Sequence, residues 1–399
     1  MNLALVASSF YPHLGGVEEV VRQLALDHRQ NGITPIILTN HFPTSLPAFE
    51  EIEGIPVYRL PFRLPDYLNK GALAKSWVRF QIGKNAVQKS VEEILKRHKI
   101  DLIQIHCVTS SAPYALQAAS ELKLPVVVSA HGELTMDAQQ VFQRSPVFQR
   151  ALRDSLQQAD FITACSCQTL DELQKWWRAS LADKSEVTYS GVFWNDFNCD
   201  AASRSTPPPK LQQEKPYIFA IGRLVPQKGF DVLLHAFALA DLPYYDLVLA
   251  GEGEERQSLK ALARELKIQR SVRFFGRAER EEVVALFKNC EFFVLPSRLE
   301  PMGIVNLEAM SAGKAVIASR VGGVPELVGP NTGVLVPPGD APALAQAMQT
   351  LADDADLREK LGHAGRVRAE EFAWPHIAAQ HRAIYYRVLR ERSTPEILV

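Results

Sequence analysis

Glu300 and Glu308 stand eight positions apart in the run LPSRLEPMGIVNLEAMSAGKAVIAS, residues 295–319. The run reads as a buried strand ending at Pro296, a glycine-bearing loop with one carboxylate, a helix with the second, and another apolar strand after Gly313. Two ionised carboxylates at such a junction are strong acceptors for paired hydroxyls, whereas loop N–H groups and a helix N-terminus suit phosphate. A nucleotide sugar presents both kinds of group. Arg223 and Lys228 flank a proline just past another apolar run, close to Gly222 and Gly229. Two fixed cations there would offset the charge of a departing diphosphate as its C–O bond breaks, although the same spacing also fits two solvated surface cations. Gly15 and Gly16 follow the first apolar run. Lacking Cβ atoms, they let the backbone approach a phosphate or an acceptor at the start of a helix near Val17; a plain strand-to-helix turn is the competing reading.

These residues need a scaffold that brings loops together. Short apolar runs recur at 2–7, 33–39, 101–105, 125–130 and 160–164, and again at 217–221, 246–250, 271–275, 291–295 and 314–318, with amphipathic segments between them. Such runs predict parallel strands covered on both faces by helices. A chain of 399 residues exceeds one ordinary core, so two doubly wound α/β domains are expected. The stretch DAASRSTPPPKLQQEKP, residues 200–216, cannot continue either element and reads as the linker between domains 1–199 and 217–374. A terminal segment, 375–399, contains a further amphipathic helix. Ligands of open parallel sheets bind beyond the carboxyl ends of the strands, which is where the acids, cations and glycines fall.

The run carrying Glu300 and Glu308 resembles the signature of the retaining glycosyltransferases of family 4, in which two glutamates with seven residues between them follow a Pro-Ser and flank a glycine. Seven further segments are similar to family landmarks in the family's order: FYPHLGGVEEVV (10–21), VSAHGE (128–133), IGRLVPQKGFDVLLHAF (221–237), GEGEER (251–256), FFG (274–276), GGVPELV (322–328) and TGVLVPPGD (332–340). The resemblance implies the GT-B fold, two Rossmann-like domains facing across a cleft with the terminal helix crossing back onto the first. It implies a nucleoside-diphosphate sugar as donor and a hydroxyl-bearing acceptor. UDP is the expected nucleotide on its frequency in the family, with GDP and ADP also in use. By the same resemblance Glu308 accepts from ribose, Glu300 lies by the sugar hydroxyls, His131 lies against the sugar near the reacting carbon, and Arg223 and Lys228 steady the leaving diphosphate. Gly16, Gly222, Gly276, Arg277, Met302, Gly303 and Ile304 complete the expected donor site. His13, Gly15, Gly16, Glu133 and Asp137 are the expected acceptor contacts. The implied mechanism is front-face attack with retention of configuration, without a metal or cofactor. Two positions depart from the family pattern: Met302 stands where an aromatic residue is usual, and Phe193, in Tyr189-Ser190-Gly191-Val192-Phe193, stands where an acid is usual.

Composition narrows the alternatives. A formal charge of −1 gives no field for nucleic acid. Five cysteines at 107, 165, 167, 199 and 290 match neither a zinc site nor a secreted disulfide framework, which with the absence of a signal-like N-terminus suggests the cytoplasm. The acidic run DDAD at 353–356 reads as solvated surface rather than a metal site. Residues 59–89 hold seven Lys or Arg and one acid, with Phe62, Tyr67, Trp77 and Phe80 interleaved; they suit an ordinary solvated helix, peripheral contact with anionic lipid or recognition of a phosphorylated acceptor. A nicotinamide-dependent oxidoreductase would need a third glycine after Gly251 and Gly253, and position 256 is Arg. A sugar-nucleotide epimerase or a non-catalytic sugar-nucleotide binder are the remaining alternatives.

Overall fold

The computed structural model describes residues 1–13, 15–65, 71, 73–136, 140–197, 211 and 215–393. The described chain forms two compact units, residues 1–189 with 374–399, and residues 190–373. Most of the expected linker, 200–216, lies outside the described residues. Residues 190–197 belong to the second unit, where sequence reading assigned them to the first. The backbone explains this, because Val192 forms a parallel bridge with Ala373 and donates to the Phe372 carbonyl at 2.8 Å.

In the first unit the strands are β1 (Asn2–Ala7), β2 (Thr34–Asn40), β3 (Phe49–Ile52), β4 (Ile55–Leu60), β5 (Leu102–His106), β6 (Val126–Ala130), β7 (Phe161–Ala164) and β8 (Ser185–Val187). They form one sheet in the order β3-β4-β2-β1-β5-β6-β7-β8. Successive residues of each central strand enter opposite cores: Ala4, Val6, Ile103 and Ile105 pack on one face, and Leu3, Leu5, Ala7 and Leu102 on the other. That division is why these strands read as continuous apolar runs. The terminal helix Trp374–Ser393 covers the second face, with Ile384, Tyr385 and Val388 in its core.

The second unit contains β9 (Tyr217–Ile221), β10 (Asp246–Ala250), β11 (Val272–Gly276), β12 (Phe292–Leu295), β13 (Ala315–Ser319) and β14 (Val334–Val336), in the order β11-β10-β9-β12-β13-β14. Its strands are all parallel. Strand order reverses between β9 and β12 here, and between β1 and β5 in the first unit, so loops leaving those strand ends diverge and open a crevice.

Ten strands match the expected runs to within one residue. The four missed ones are edge or near-edge strands. β3 and β4 form an antiparallel hairpin, against the all-parallel expectation, joined by Glu53 and Gly54 at φ 51° and 74°. Two successive positive φ values make the tight turn that suits a hairpin. β4 alternates buried and half-buried residues, because only one of its faces is fully covered.

Candidate active site

Four loops of the second unit converge at the carboxyl ends of β9, β10, β12 and β13. Gly222–Lys228 follows β9 and Ser297–Gly303 follows β12. Because β9 and β12 are neighbours, the two loops interlock: Arg298 N–H donates to the Gln227 carbonyl at 2.8 Å, and the Arg298 guanidinium holds both Asp231 oxygens at 2.7 and 2.6 Å. Those hydrogen bonds keep the Asp231 carboxyl below its ordinary value. Gly229 has φ 65°, and a Cβ there would lie 2.3 Å from the Pro296 carbonyl oxygen, so glycine is what lets the loops touch.

Within this frame Lys228 and Glu300 meet, with Nζ 2.5 Å from Oε2. Ser297 Oγ donates to the same oxygen at 3.0 Å. Both charges are largely withdrawn from solvent, with side chains 15% and 8% exposed. The pair joins a residue expected at the leaving group to one expected at the sugar. Arg223, by contrast, is exposed and has no ion-pair partner among the described residues.

Gly303 caps helix Ile304–Ser311 at φ 84°, placing the N–H groups of its first turn, starting at Ile304, beside the Glu300 loop. Gly322 backs that loop closely enough that a Cβ would meet the Glu300 carbonyl oxygen at 1.7 Å. The Asn306 side chain beneath Gly303 is buried, and neither of its amide atoms has a partner among the described residues. Met302 is also buried, and its sulfur accepts the Ser190 N–H at 3.1 Å. The departure from an aromatic residue thus anchors the incoming segment to the loop, a contact a phenyl ring could not make in the same way.

Glu308, one turn into the helix, is paired with Arg280. Arg280 also donates to Asp196 at 2.8 Å and lies over the rings of Phe193 at 4.8 Å and Phe197 at 5.5 Å. Burial opposes its charge, but Glu308 and Asp196 more than offset this and raise its pKa. Gly276 ends β11, and Arg277 follows it. Gly276 accepts the Gly251 N–H at 2.7 Å, and Arg277 pairs loosely with Glu279 at 3.4 Å on the surface. Gly251 and Gly253 press against the backbone of residues 222–224: a Cβ on either would meet the carbonyl oxygen of Gly222 at 1.9 Å or of Leu224 at 2.2 Å. The glycine pair that hinted at a dinucleotide fingerprint therefore serves backbone packing.

In the first unit His131 follows β6, and His106 ends the adjacent strand β5. His131 Nε2 lies 3.0 Å from His106 Nδ1, with the rings stacked. Burial pushes the His131 imidazole down to about 4 and holds that of His106 well below its ordinary value, so both are neutral near pH 7. Glu133, expected at the acceptor, accepts the N–H groups of Val108 and His131, each at 3.0 Å. Burial raises its pKa, and those N–H groups pull the other way. It shapes the histidine loop. Gly15, in an extended conformation, caps the helix Gly16–Gln30, and the nearby Glu18 carboxylate bonds Ser9. His13 is exposed. Asp137 lies outside the described residues. Asp354 of the acidic run caps the helix Ala355–Glu370 through Leu357 N–H at 2.8 Å, a structural use.

Sequence reading missed Arg280, Asp196, Ser297 and His106. The available signals were weak: Ser297 precedes Glu300 by three positions, and His106, like His131, sits at a strand end.

Two family models match the chain, the "Glycosyl transferase 4-like domain" over residues 15–187 and "Glycosyl transferases group 1" over 204–368. An uncharacterised glycosyltransferase of Methanocaldococcus jannaschii is 27% identical across 96% of this chain and 97% of its own. A GDP-mannose-dependent monoacylated α-(1-6)-phosphatidylinositol monomannoside mannosyltransferase of Corynebacterium glutamicum is 27% identical over 93% of this chain and 94% of its own. Among solved structures, sucrose-phosphate synthase from Thermosynechococcus elongatus superposes with a TM-score of 0.82 at 25% identity, covering 98% of this chain and 99% of that one.

Proposed function

Because the chain belongs to the group 1 glycosyltransferases of family 4 and is an enzyme of GT-B fold, we propose that it moves a hexose-type sugar from a nucleoside diphosphate to an acceptor hydroxyl with retention of configuration. The observation that carries the donor reading is the meeting of Lys228 and Glu300 beside the Gly303-capped helix, one turn before Glu308. The helix N–H groups and Lys228 take the diphosphate, Glu308 the ribose, and Glu300 the sugar hydroxyls. Arg223, free of ion pairs among the described residues, adds a second cation when the diphosphate arrives.

In the proposed step the acceptor oxygen attacks the anomeric carbon from the face that the diphosphate leaves. The C–O bond to phosphate breaks, and the departing phosphate oxygen takes the acceptor's proton. No carboxylate nucleophile enters this route, in keeping with Glu300 being engaged by Lys228 and Ser297. Neutral His131, backed by His106, supplies a hydrogen bond to the sugar rather than a charge.

UDP, GDP and ADP should be compared by thermal shift, with UDP the first expectation. The cognate nucleotide at 100 times its Kd should stabilise the protein by about 2.7 kcal/mol. Absence of any shift with all three would remove the donor-site assignment. NMR of the product's anomeric centre then tests retention, and nucleotide released only when an acceptor is present separates a transferase from an inert binder.

The acceptor is proposed to be reached at an anionic lipid surface. On the helix Leu73–Arg97, Lys75, Val78, Arg79, Ile82 and Lys89 recur at helical spacing and are exposed, with Ile82 78% accessible; Trp77 is exposed beside them. Among the described residues no helix is long and apolar enough to cross a membrane. Apolar side chains ringed by cations suit shallow binding to acidic headgroups. The protein should float with vesicles containing phosphatidylglycerol and not with phosphatidylcholine alone, and Ile82→Glu should abolish flotation. Equal behaviour with both vesicles would end this proposal.

A further inference from the structure

The reaction above makes no use of Arg280, yet this residue sits on the carboxylate assigned to ribose. We propose that Arg280 is a positioning residue that fixes Glu308 for the ribose hydroxyls, and that it thereby makes the site select ribonucleoside over dideoxyribonucleoside diphosphates. The inference rests on Glu308 gripping ribose.

Arg280 opens the helix Arg280–Asn289, whose start is set by a reciprocal capping box between Glu279 and Glu282. Its backbone position is therefore fixed before the side chain departs. The guanidinium uses different nitrogens for its two carboxylates, Nη1 for Glu308 and Nε for Asp196. The rings of Phe193 and Phe197 lie against it. A planar fork held by a second acid and by aromatic rings cannot turn, so the oxygen it binds is fixed in direction as well as in charge. The remaining nitrogen, Nη2, is buried without a partner among the described residues. Leaving a buried donor unpaired is unfavourable, which argues that the cluster is arranged for the geometry at Glu308 rather than for stability alone.

Phe193 gives the arrangement its asymmetry. An acid at this position, as the family pattern leads one to expect, would bring a third carboxylate to the guanidinium in competition with Glu308. A phenyl ring binds the cation through its π-system and leaves the N–H groups to Glu308 and Asp196.

A freely rotating Glu308 would spend only part of its time where both ribose hydroxyls can donate to it. The affected interaction is the one that separates ribose from dideoxyribose, because a site built to receive hydroxyls rejects a ligand lacking them. Titration calorimetry with UDP, GDP and ADP first identifies the tightest nucleotide. That nucleotide and its 2′,3′-dideoxy counterpart are then titrated into wild type, Arg280→Met, Arg280→Lys and Glu308→Gln, with melting temperatures recorded. Arg280→Met should weaken the ribonucleotide roughly tenfold and leave the dideoxy ligand within about twofold, since only the hydroxyl contacts are disturbed. Arg280→Lys should shift the same way, because an ammonium cannot reproduce the fork. Equal weakening of both ligands, or of neither, overturns the proposal. If Glu308→Gln keeps the wild-type ratio between the two ligands, the ribose reading falls and this proposal with it; if Glu308→Gln loses that ratio and Arg280→Met keeps it, only the role of Arg280 falls. Should Arg280→Met not fold, wild-type discrimination by Arg280→Lys overturns the proposal by itself.

Discussion

Lys228→Ala should lower turnover by about 10²-fold or more, because it removes a positive charge from the proposed leaving group at the moment negative charge develops there. The effect should fall mainly on kcat, since a contact that strengthens as the bond breaks stabilises the transition state beyond the bound substrate. The same substitution should also destabilise the second unit. Lys228 and Glu300 form a close pair with little solvent access, and removing one partner of a buried pair typically costs about 3–5 kcal/mol. A second change separates the two effects. Lys228→Ala combined with Glu300→Gln removes the uncompensated carboxylate, so the melting temperature should recover most of its loss while turnover stays low. Initial rates and thermal denaturation of both variants decide the matter. Turnover by Lys228→Ala within about threefold of wild type would take Lys228 out of the mechanism, and an unchanged melting temperature would show that the ion pair carries no stability.

Acidification from pH 7 to 5 should strongly destabilise the first unit. Four imidazoles lie together beneath and beside its central strands. His28 and His381 are held down to about 3 by burial, His131 to about 4, and His106 well below its ordinary value. They are linked through buried polar groups: His28 to Tyr385 at 3.2 Å, Tyr385 to Gln104, Gln104 to His381 at 3.2 Å, and His106 to His131. In the folded protein His28, His131 and His381 stay neutral down to about pH 4, and burial disfavours the charged form of His106 as well, whereas in the unfolded chain all four take up protons near 6.5. The unfolded state thus binds more protons throughout the window between those values, and stability falls as pH falls through it. Above about pH 7 neither state is protonated, and this contribution is flat. Each group costs about 1.4 kcal/mol per pH unit once below its unfolded value, so together they remove several kcal/mol by pH 5, a large part of a typical stability of about 5–15 kcal/mol. Denaturation at pH 8, 7, 6 and 5 should show a plateau followed by a slope of several protons. His381→Gln should reduce that slope by about one proton. A melting temperature constant down to pH 5 would contradict the burial of neutral imidazoles described above.

Much of the architecture was legible because its central strands are covered on both faces. Segments such as Leu3–Ala7 and Phe292–Leu295 are apolar at every position, and nothing but a buried strand or helix tolerates that. The strands that escaped notice lie at or beside sheet edges, where they are short or only partly covered: Phe49–Ile52 and Ser185–Val187 are half polar or more, and Val334–Val336 is only three residues long. The hairpin at Glu53-Gly54 carried a turn signal, but its strands of four and six residues are too short for alternation to stand out. Residues 190–197 were assigned to the wrong unit for a different reason. Their place is set by hydrogen bonds to Met302 and Phe372, which no local pattern records.

The same division runs through the site. Residue type and spacing by themselves determined the chemistry on offer: two carboxylates for hydroxyls, cations for a diphosphate, and glycines where loops must pass closely. Partnership was decided by the tertiary structure alone. Lys228 and Glu300 are 72 positions apart and meet because β9 and β12 are adjacent where strand order reverses. His106 and His131 meet because β5 and β6 are neighbours, and burial there makes His131 a neutral hydrogen-bonding group. Arg280 reaches Glu308 across 28 positions, against the rings of Phe197 and of Phe193, the residue that departs from the family pattern. Side-chain chemistry is a property of the residue, whereas a charge's partner, its burial and hence its strength are properties of strand order, which a linear chain does not display.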